Sequence, residues 1–266
     1  MGRKQCRKQG TLSKRAKGHL YLYPLIAIAA MLAIVFVMDL PHMHKPKQQL
    51  SQTIRIPAGQ RAQMDLPDGS VVWLNSQTTL TYDENFGKKD RKVTLDGEAY
   101  FEVAHNKEIP FYVQTENIKV QVTGTKFDVC SYKGSNSFIA RLIEGSINLL
   151  TNNAKEEKPI TSLTKGKYFS MENGKYKTGE MSSNNALAWM QGIYYFDDVP
   201  FKELLDKIAL YYNYKITVKN PKILENYRCT GKFKDLDGIE HILKVIQKDH
   251  PFKYNIDNEH NKITIE

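Results

Sequence analysis

The sequence predicts one N-terminal transmembrane helix, then an all-β domain, then a small α+β domain of order β-α-β-β-α-β-β. Three observations predict it. Leu20 to Met38 form an uncharged apolar run. From Thr53 to about Met181, short strand patterns alternate with glycine turns. After Asn185 a helical apolar period appears twice. The expected segments are a basic tail over 1–19, a membrane helix over 20–38, a linker over 39–52, an all-β domain over 53–183 and an α+β domain over 186–266.

The run LYLYPLIAIAAMLAIVFVM is long enough, as a helix, to cross a hydrocarbon layer of about 30 Å. Pro24 sits in its first turns, where a helix tolerates proline best. The tail before it carries Arg3, Lys4, Arg7, Lys8, Lys14, Arg15 and Lys17, with no Asp or Glu. By the positive-inside rule the tail stays in the cytoplasm and the rest of the chain lies outside the membrane. Those charges account for most of the net +9, so the basicity is a topology signal and not a nucleic-acid footprint. No folded nucleic-acid reader accompanies the tail. The residues after the run, Asp39-Leu40-Pro41-His42-Met43-His44, offer no small-residue cleavage site, which leaves an uncleaved anchor.

Asp39 to Gln52 has linker composition, with Pro41 and Pro46 among Lys and Gln. Its His42-Met43-His44 is an incomplete metal site and reads as spacer. Cys6 falls on the cytoplasmic side. Cys130 and Cys229 belong to different predicted domains and are expected as buried free thiols.

In the β domain, Ile118-Lys119-Val120-Gln121-Val122 alternates apolar and polar residues as a half-buried strand does. Val71–Leu74, Tyr100–Val103, Phe111–Val113, Phe127–Val129 and Ile147–Leu149 are similar. Asp68-Gly69, Asp96-Gly97, Thr123-Gly124 and Glu144-Gly145 punctuate them, so Gly69, Gly97, Gly124 and Gly145 are expected to hold turns. Sandwich, barrel and β-helix-like roll all satisfy the pattern. The β-roll or β-helix-like form is the expectation carried forward.

In the α+β domain, Phe201, Leu204, Leu205, Ile208, Ala209 and Tyr212 form one helical stripe, with Pro200 at its start. Ile239, Ile242, Leu243 and Ile246 form a second. Asp237 with Glu240 resembles a capping box, and Pro251 marks the helix end. Strand patterns flank both helices, which suggests two helices on one face of a single sheet.

Catalytic constellations are absent: no G-x-S-x-G, no phosphate-binding glycine loop, no H-E-x-x-H. His105, His241, His250 and His260 have no partner at zinc-ligand spacing. Glu98 and Glu102 share one side of a strand and read as a solvated pair without a pocket. No enzyme activity, metal or cofactor is expected. Tyr194, Tyr195, Phe196, Tyr211, Tyr212 and Tyr214 crowd the α+β domain. Most belong to its core; Tyr194 and Tyr195 are candidates for an interface. The last strand pattern, Lys262 to Glu266, is expected at a sheet edge, where a partner's strand can add. Lys262, Thr264 and Glu266 would select that partner.

Specific residues resemble the FecR-type transmembrane regulators. Leu66-Pro-Asp-Gly-Ser-Val-Val-Trp-Leu-Asn-Ser76 is similar to that family's L-x-D-G-S-x-V-x-L-N-S segment. Arg91-Lys-Val-Thr-Leu-Asp-Gly-Glu-Ala-Tyr-Phe-Glu-Val-Ala104, followed by Pro110-Phe111, resembles its R-x-V-x-L-x-G-E-A-Y-F-E-V-A block. Gly124–Val129 is similar to G-T-x-F-x-V, and Leu142–Ser146 to L-x-E-G-S. The end of the chain is similar to the secretin/TonB short N-terminal domain of the Bacteroidetes members.

The resemblance implies a regulator in the inner membrane of Gram-negative bacteria, with its C-terminal domains in the periplasm. There it would receive a signal from the signalling domain of a TonB-dependent outer-membrane transporter and pass it to an extracytoplasmic-function sigma factor. Family members carry a folded helical domain before the span, whereas 19 residues precede it here. A start codon further upstream or a reduced member would account for that. The rival reading is a membrane-anchored periplasmic binding module for glycan or envelope assembly, without transcriptional output. Neighbouring sigma-factor and transporter genes would separate the two.

Overall fold

The computed structural model describes residues 22–39, 50–88, 90–152, 156–181 and 184–266. The expected tail, residues 20–21 of the apolar run and most of the expected linker lie outside the described residues, as do Cys6, His42, Met43 and His44. The described residues fall into two units, one holding residues 22–39 and the other the residues from 50 onward. In the first, α1 runs over Leu22–Asp39. Its 18 residues span about 27 Å at ~1.5 Å per residue. Among the described residues no helix is long and apolar enough to cross a membrane.

The second unit opens with β1 (Ser51–Arg55), β2 (Ala62–Asp65), β3 (Val71–Leu74), β4 (Thr79–Asp83) and the long β5 (Arg91–Glu102). Next come β6 (Phe111–Gln114), β7 (Ile118–Val122), β8 (Lys126–Ser131) and β9 (Ser137–Glu144). The run ends with β10 (Ser146–Thr151), β11 (Pro159–Thr164), β12 (Lys167–Glu172) and β13 (Lys175–Glu180).

These strands form one bent sheet whose two halves share β5. Arg91–Asp96 pairs with β4 and β6, in the order β1-β4-β5-β6-β7-β10-β11. Gly97–Glu102 pairs with β3 and β8, in the order β2-β3-β5-β8-β9-β12-β13. Pairing is antiparallel except between β5 and β6. The result is a rolled antiparallel sheet, not the stacked parallel coils of a β-helix. Both halves bury alternate residues in one core that includes Leu74, Leu80, Val93, Phe101, Phe111, Phe127, Phe138 and Phe169. Arg91 anchors the start of β5. It is buried, pairs with Asp68 at 3.1 Å and donates to the carbonyls of Ala104, Asn106 and Ile109.

The turn expectation for Gly97 is corrected. Gly97 lies inside β5, at the point where the strand passes from one half-sheet to the other. Its φ of +135° and a would-be Cβ 2.6 Å from Thr78 Cα exclude a side chain. Thr78 Oγ1 accepts from the Glu98 N–H and donates to the Glu98 carbonyl, closing the backbone at the bend. Gly145 does turn the chain, between β9 and β10, at φ +92°. Gly69 sits in the turn before β3, and Gly124 lies in a bend where a Cβ would meet His105.

A 3-10 segment over Asn184–Gln191 leads into the C-terminal layer. It comprises β14 (Ile193–Pro200), α2 (Phe201–Tyr212), β15 (Lys215–Val218), β16 (Arg228–Lys234), α3 (Gly238–Asp249), β17 (Tyr254–Asp257) and β18 (Lys262–Ile265). The order is β-α-β-β-α-β-β, but the single sheet expected from it is two. β14 pairs with β16, and β15-β18-β17 form a separate three-stranded sheet. Helical and strand periods show which segments bury a face; they do not show which strand lies beside which. α2 buries Phe201, Leu204, Leu205, Ile208 and Tyr211, and α3 buries Ile239, Ile242, Leu243 and Ile246. Both helices share one core with both sheets.

Two local expectations also change. Pro200 is the N-cap of α2, with Phe201 the first helical residue. Asp237 accepts from the Lys234 N–H at 2.9 Å, so it closes the preceding 3-10 turn and makes no capping box with Glu240.

Leu205→Ala or Leu243→Ala should each cost ~2–5 kcal/mol, the range for a core leucine. Chemical denaturation of the purified protein measures it. Losses below ~1 kcal/mol for both would mean that the two stripes do not share a core.

Candidate functional site

The C-terminal layer docks on the outer face of the rolled sheet. Alternation along β5 sends Ala99 and Phe101 into the β core and Tyr100 the other way, into the core of the C-terminal layer. Trp73 of β3 lies beside Tyr100, ring centroids 5.4 Å apart, and packs against the same core. The turn after β3 then grips the end of α2: Ser76 Oγ donates to the Tyr211 carbonyl at 3.2 Å, and the Gln77 amide donates to the Leu210 carbonyl. Arg61 pairs with Asp235 at 2.9 Å and donates to the Tyr194 hydroxyl at 3.4 Å.

Beneath these contacts lies a buried polar cluster. Glu98 of β5 is 4 % exposed and Asp128 of β8 is fully buried. Arg141 of β9, the cross-strand neighbour of Asp128, donates to Asp128 Oδ2 at 2.6 Å and stands 3.8 Å from Glu98 Oε1. Asn75 Nδ2 donates to Glu98 Oε2 at 2.6 Å. Trp189 of the 3-10 segment turns its indole N–H toward Asp128 without closing a hydrogen bond of ordinary geometry. A cavity of about 110 Å³ adjoins the cluster, lined by Glu98, Cys130, Arg141, Trp189, Lys207 and Tyr211 among others.

Burial dominates the titration here. It pushes Asp128 up to about 7 against the pull of Arg141, with the Glu98 charge adding to the rise. It also raises Glu98, against Arg141, the Asn75 hydrogen bond and Lys207. The Cys130 thiol is likewise pushed well up by burial. Cys130 and Cys229 are both free thiols, Cys229 buried and Cys130 half-buried.

The expected site residues are scattered. Tyr194 is 3 % exposed and stacks on Tyr211 at 4.1 Å, inside the layer and not on its outer surface. Tyr195 faces outward, 38 % exposed, with Lys232 Nζ 5.3 Å from its ring. The edge expectation for the last strand is overturned. β18 is the central strand of its sheet, parallel to β15 and antiparallel to β17, so Lys262 and Thr264 have paired backbones on both sides. Ile263 and Ile265 are fully buried, which holds that strand in the middle. Glu266 pairs with Lys219 at 2.5 Å. The reading of Glu98 as solvated is corrected too. Glu102 remains half-exposed and pairs with Lys126 at 3.4 Å, but the C-terminal layer covers Glu98. Only the apolar company of β5 could have hinted at that.

Buried and half-buried polar groups thus hold the C-terminal layer on the rolled sheet. Residues 52–148 match the family described as FecR protein, and residues 193–265 match the family described as FecR, C-terminal. The chain belongs to the FecR family, and is a FecR-type regulator. Among solved structures it is similar to a candidate anti-sigma factor from Parabacteroides distasonis. The crystal structure of that protein at 2.50 Å matches with 25 % identity and a TM-score of 0.69, covering 81 % of this chain and 98 % of that chain. A second crystal structure, at 1.65 Å, matches with 24 % identity and the same TM-score and coverage. Comparison with curated proteins finds no match.

Arg141→Met removes the guanidinium that faces both buried carboxylates. Breaking a buried pair from one side costs ~3–5 kcal/mol, so denaturant midpoints at pH 8 should drop accordingly. An unchanged midpoint would show that the cluster is not buried in solution.

Proposed function

We propose that the chain is a single-pass inner-membrane signal transducer. In this reading its C-terminal domains lie in the periplasm, receive a signal from the signalling domain of a TonB-dependent outer-membrane transporter, and relay it to an extracytoplasmic-function sigma factor. One observation carries the sigma-factor part: the chain covers 98 % of the crystallised length of a candidate anti-sigma factor at 25 % identity, with both FecR families matched along it. The membrane part rests on charge and exposure. Seven basic residues and no acidic one precede the apolar run. Along α1, Ile26, Ile28, Met31, Leu32, Ile34, Val35 and Phe36 are all exposed. Seven large apolar side chains on one exposed helix are unfavourable in water, and a bilayer covers them.

Two measurements test this. Alkaline phosphatase fused after Glu266 should be active and a fluorescent protein at the same place dark; the reverse pattern overturns the orientation. In a strain lacking the gene, changes in transcript levels should concentrate on a TonB-dependent transporter operon and its sigma factor. A transcriptome indistinguishable from the parent strain would remove the regulatory reading and favour an envelope-binding role.

A further inference from the structure

The junction between the rolled sheet and the C-terminal layer buries two carboxylates against one guanidinium. Arg141 reaches Asp128 at 2.6 Å but Glu98 only at 3.8 Å. Asp128 Oδ1 and Trp189 Nε1 are buried and have no hydrogen-bond partner among the described residues. The groups facing this pair come from every neighbouring element. Tyr100 is the register partner of Asp128 on β5, and Cys130 lies on β8 itself. Asn75 follows β3, Trp189 comes from the 3-10 segment, and Tyr194 from β14. Lys207 and Tyr211 come from α2, and Tyr132 follows β8. Further out, the charges of Glu102 and Glu144 reach Tyr100. Among these, Arg141 and Lys207 are the cations, and Lys207 also pairs with Glu203 at 2.9 Å, on the surface of α2.

We propose that this junction is a proton-operated latch between the two layers. With one proton held by the Glu98–Asp128 pair, Arg141 balances the remaining carboxylate, and Trp189 and α2 stay seated on the sheet. When that proton leaves, two buried carboxylates face one guanidinium and the seat loosens. Such a latch depends on neither the membrane orientation nor a particular transporter.

The direction of pH dependence follows. Asp128 lies near 7 in the folded chain, against about 4 for an ordinary aspartate. Between those values the folded chain holds a proton that the unfolded chain has released, so this stabilising contribution is full below about 4 and is lost as pH rises through about 7. Cavity, buried charge and the Trp189 indole turned toward Asp128 are all at the same place, which makes that indole the natural reporter.

The test uses the full chain in mild detergent with Trp73→Phe, leaving Trp189 as the sole indole. Its emission should titrate with one midpoint near pH 7, and the melting temperature should fall from pH 5 to pH 8. Asp128→Asn should abolish the emission transition and flatten the dependence of melting temperature on pH. Glu98→Gln removes the like charge and should move the midpoint to lower pH. It decides the matter if Asp128→Asn does not fold. Emission that is flat from pH 5 to pH 8, a transition that survives Asp128→Asn, or a midpoint unmoved by Glu98→Gln each overturns the latch.

Discussion

The fold depends on the continuity of β5. One strand of 12 residues, Arg91–Glu102, pairs with β4 and β6 at its start and with β3 and β8 at its end. It can serve both half-sheets only by bending, and it bends at Gly97, where positive φ and the close approach of Thr78 leave no room for a side chain. Arg91 fixes the beginning through Asp68 and three carbonyls. Beyond the bend, alternation sends Ala99 and Phe101 to one core, and Tyr100 to the other. A single strand thereby sets the roll of the sheet, its core and the face on which the C-terminal layer rests.

That layer is held in two ways. Tyr100 and Trp73 supply apolar contact, which favours association without dictating orientation. The hydrogen bonds from Ser76 and Gln77, and the Arg61–Asp235 pair, fix where α2 and the turn after β16 must sit. The carboxylate cluster lies between them. Burying charge at a junction weakens it relative to a purely apolar one, because desolvation opposes the ion pairing. Interfaces between domains of one chain are commonly polar in this way.

Local signals were legible wherever burial follows one element's own period. The stripes of α2 and α3 were readable because an amphipathic helix declares its face every three or four residues, and Leu204, Leu205, Ile208, Ile242, Leu243 and Ile246 are all buried. Strand identity was readable from alternation, as at Ile118–Val122, whose burial alternates residue by residue. Partnerships were not. The last strand looks like an edge from its position in the chain, yet β15, from the other side of α3 in sequence, closes its second side. Asp237 carried the spacing of a capping box, but the turn before it took its carboxylate first.

By itself, the sequence determined the strand patterns at Val71–Leu74, Tyr100–Val103, Phe111–Val113, Ile118–Val122, Phe127–Val129 and Ile147–Leu149, the two amphipathic helices and the family motifs, because each of these is written in a local pattern of side chains. Only the tertiary structure decided that Gly97 is a pivot inside a strand, that β18 lies centrally, and that Glu98, Asp128 and Arg141 meet beneath Trp189. Strand pairing joins segments far apart in the chain, and a carboxylate's environment depends on what finally covers it. Glu98 and Glu102 share a strand and a periodicity; the C-terminal layer covers one and leaves the other half-exposed, and that alone separates a buried carboxylate beside Arg141 from one paired with Lys126 at the surface.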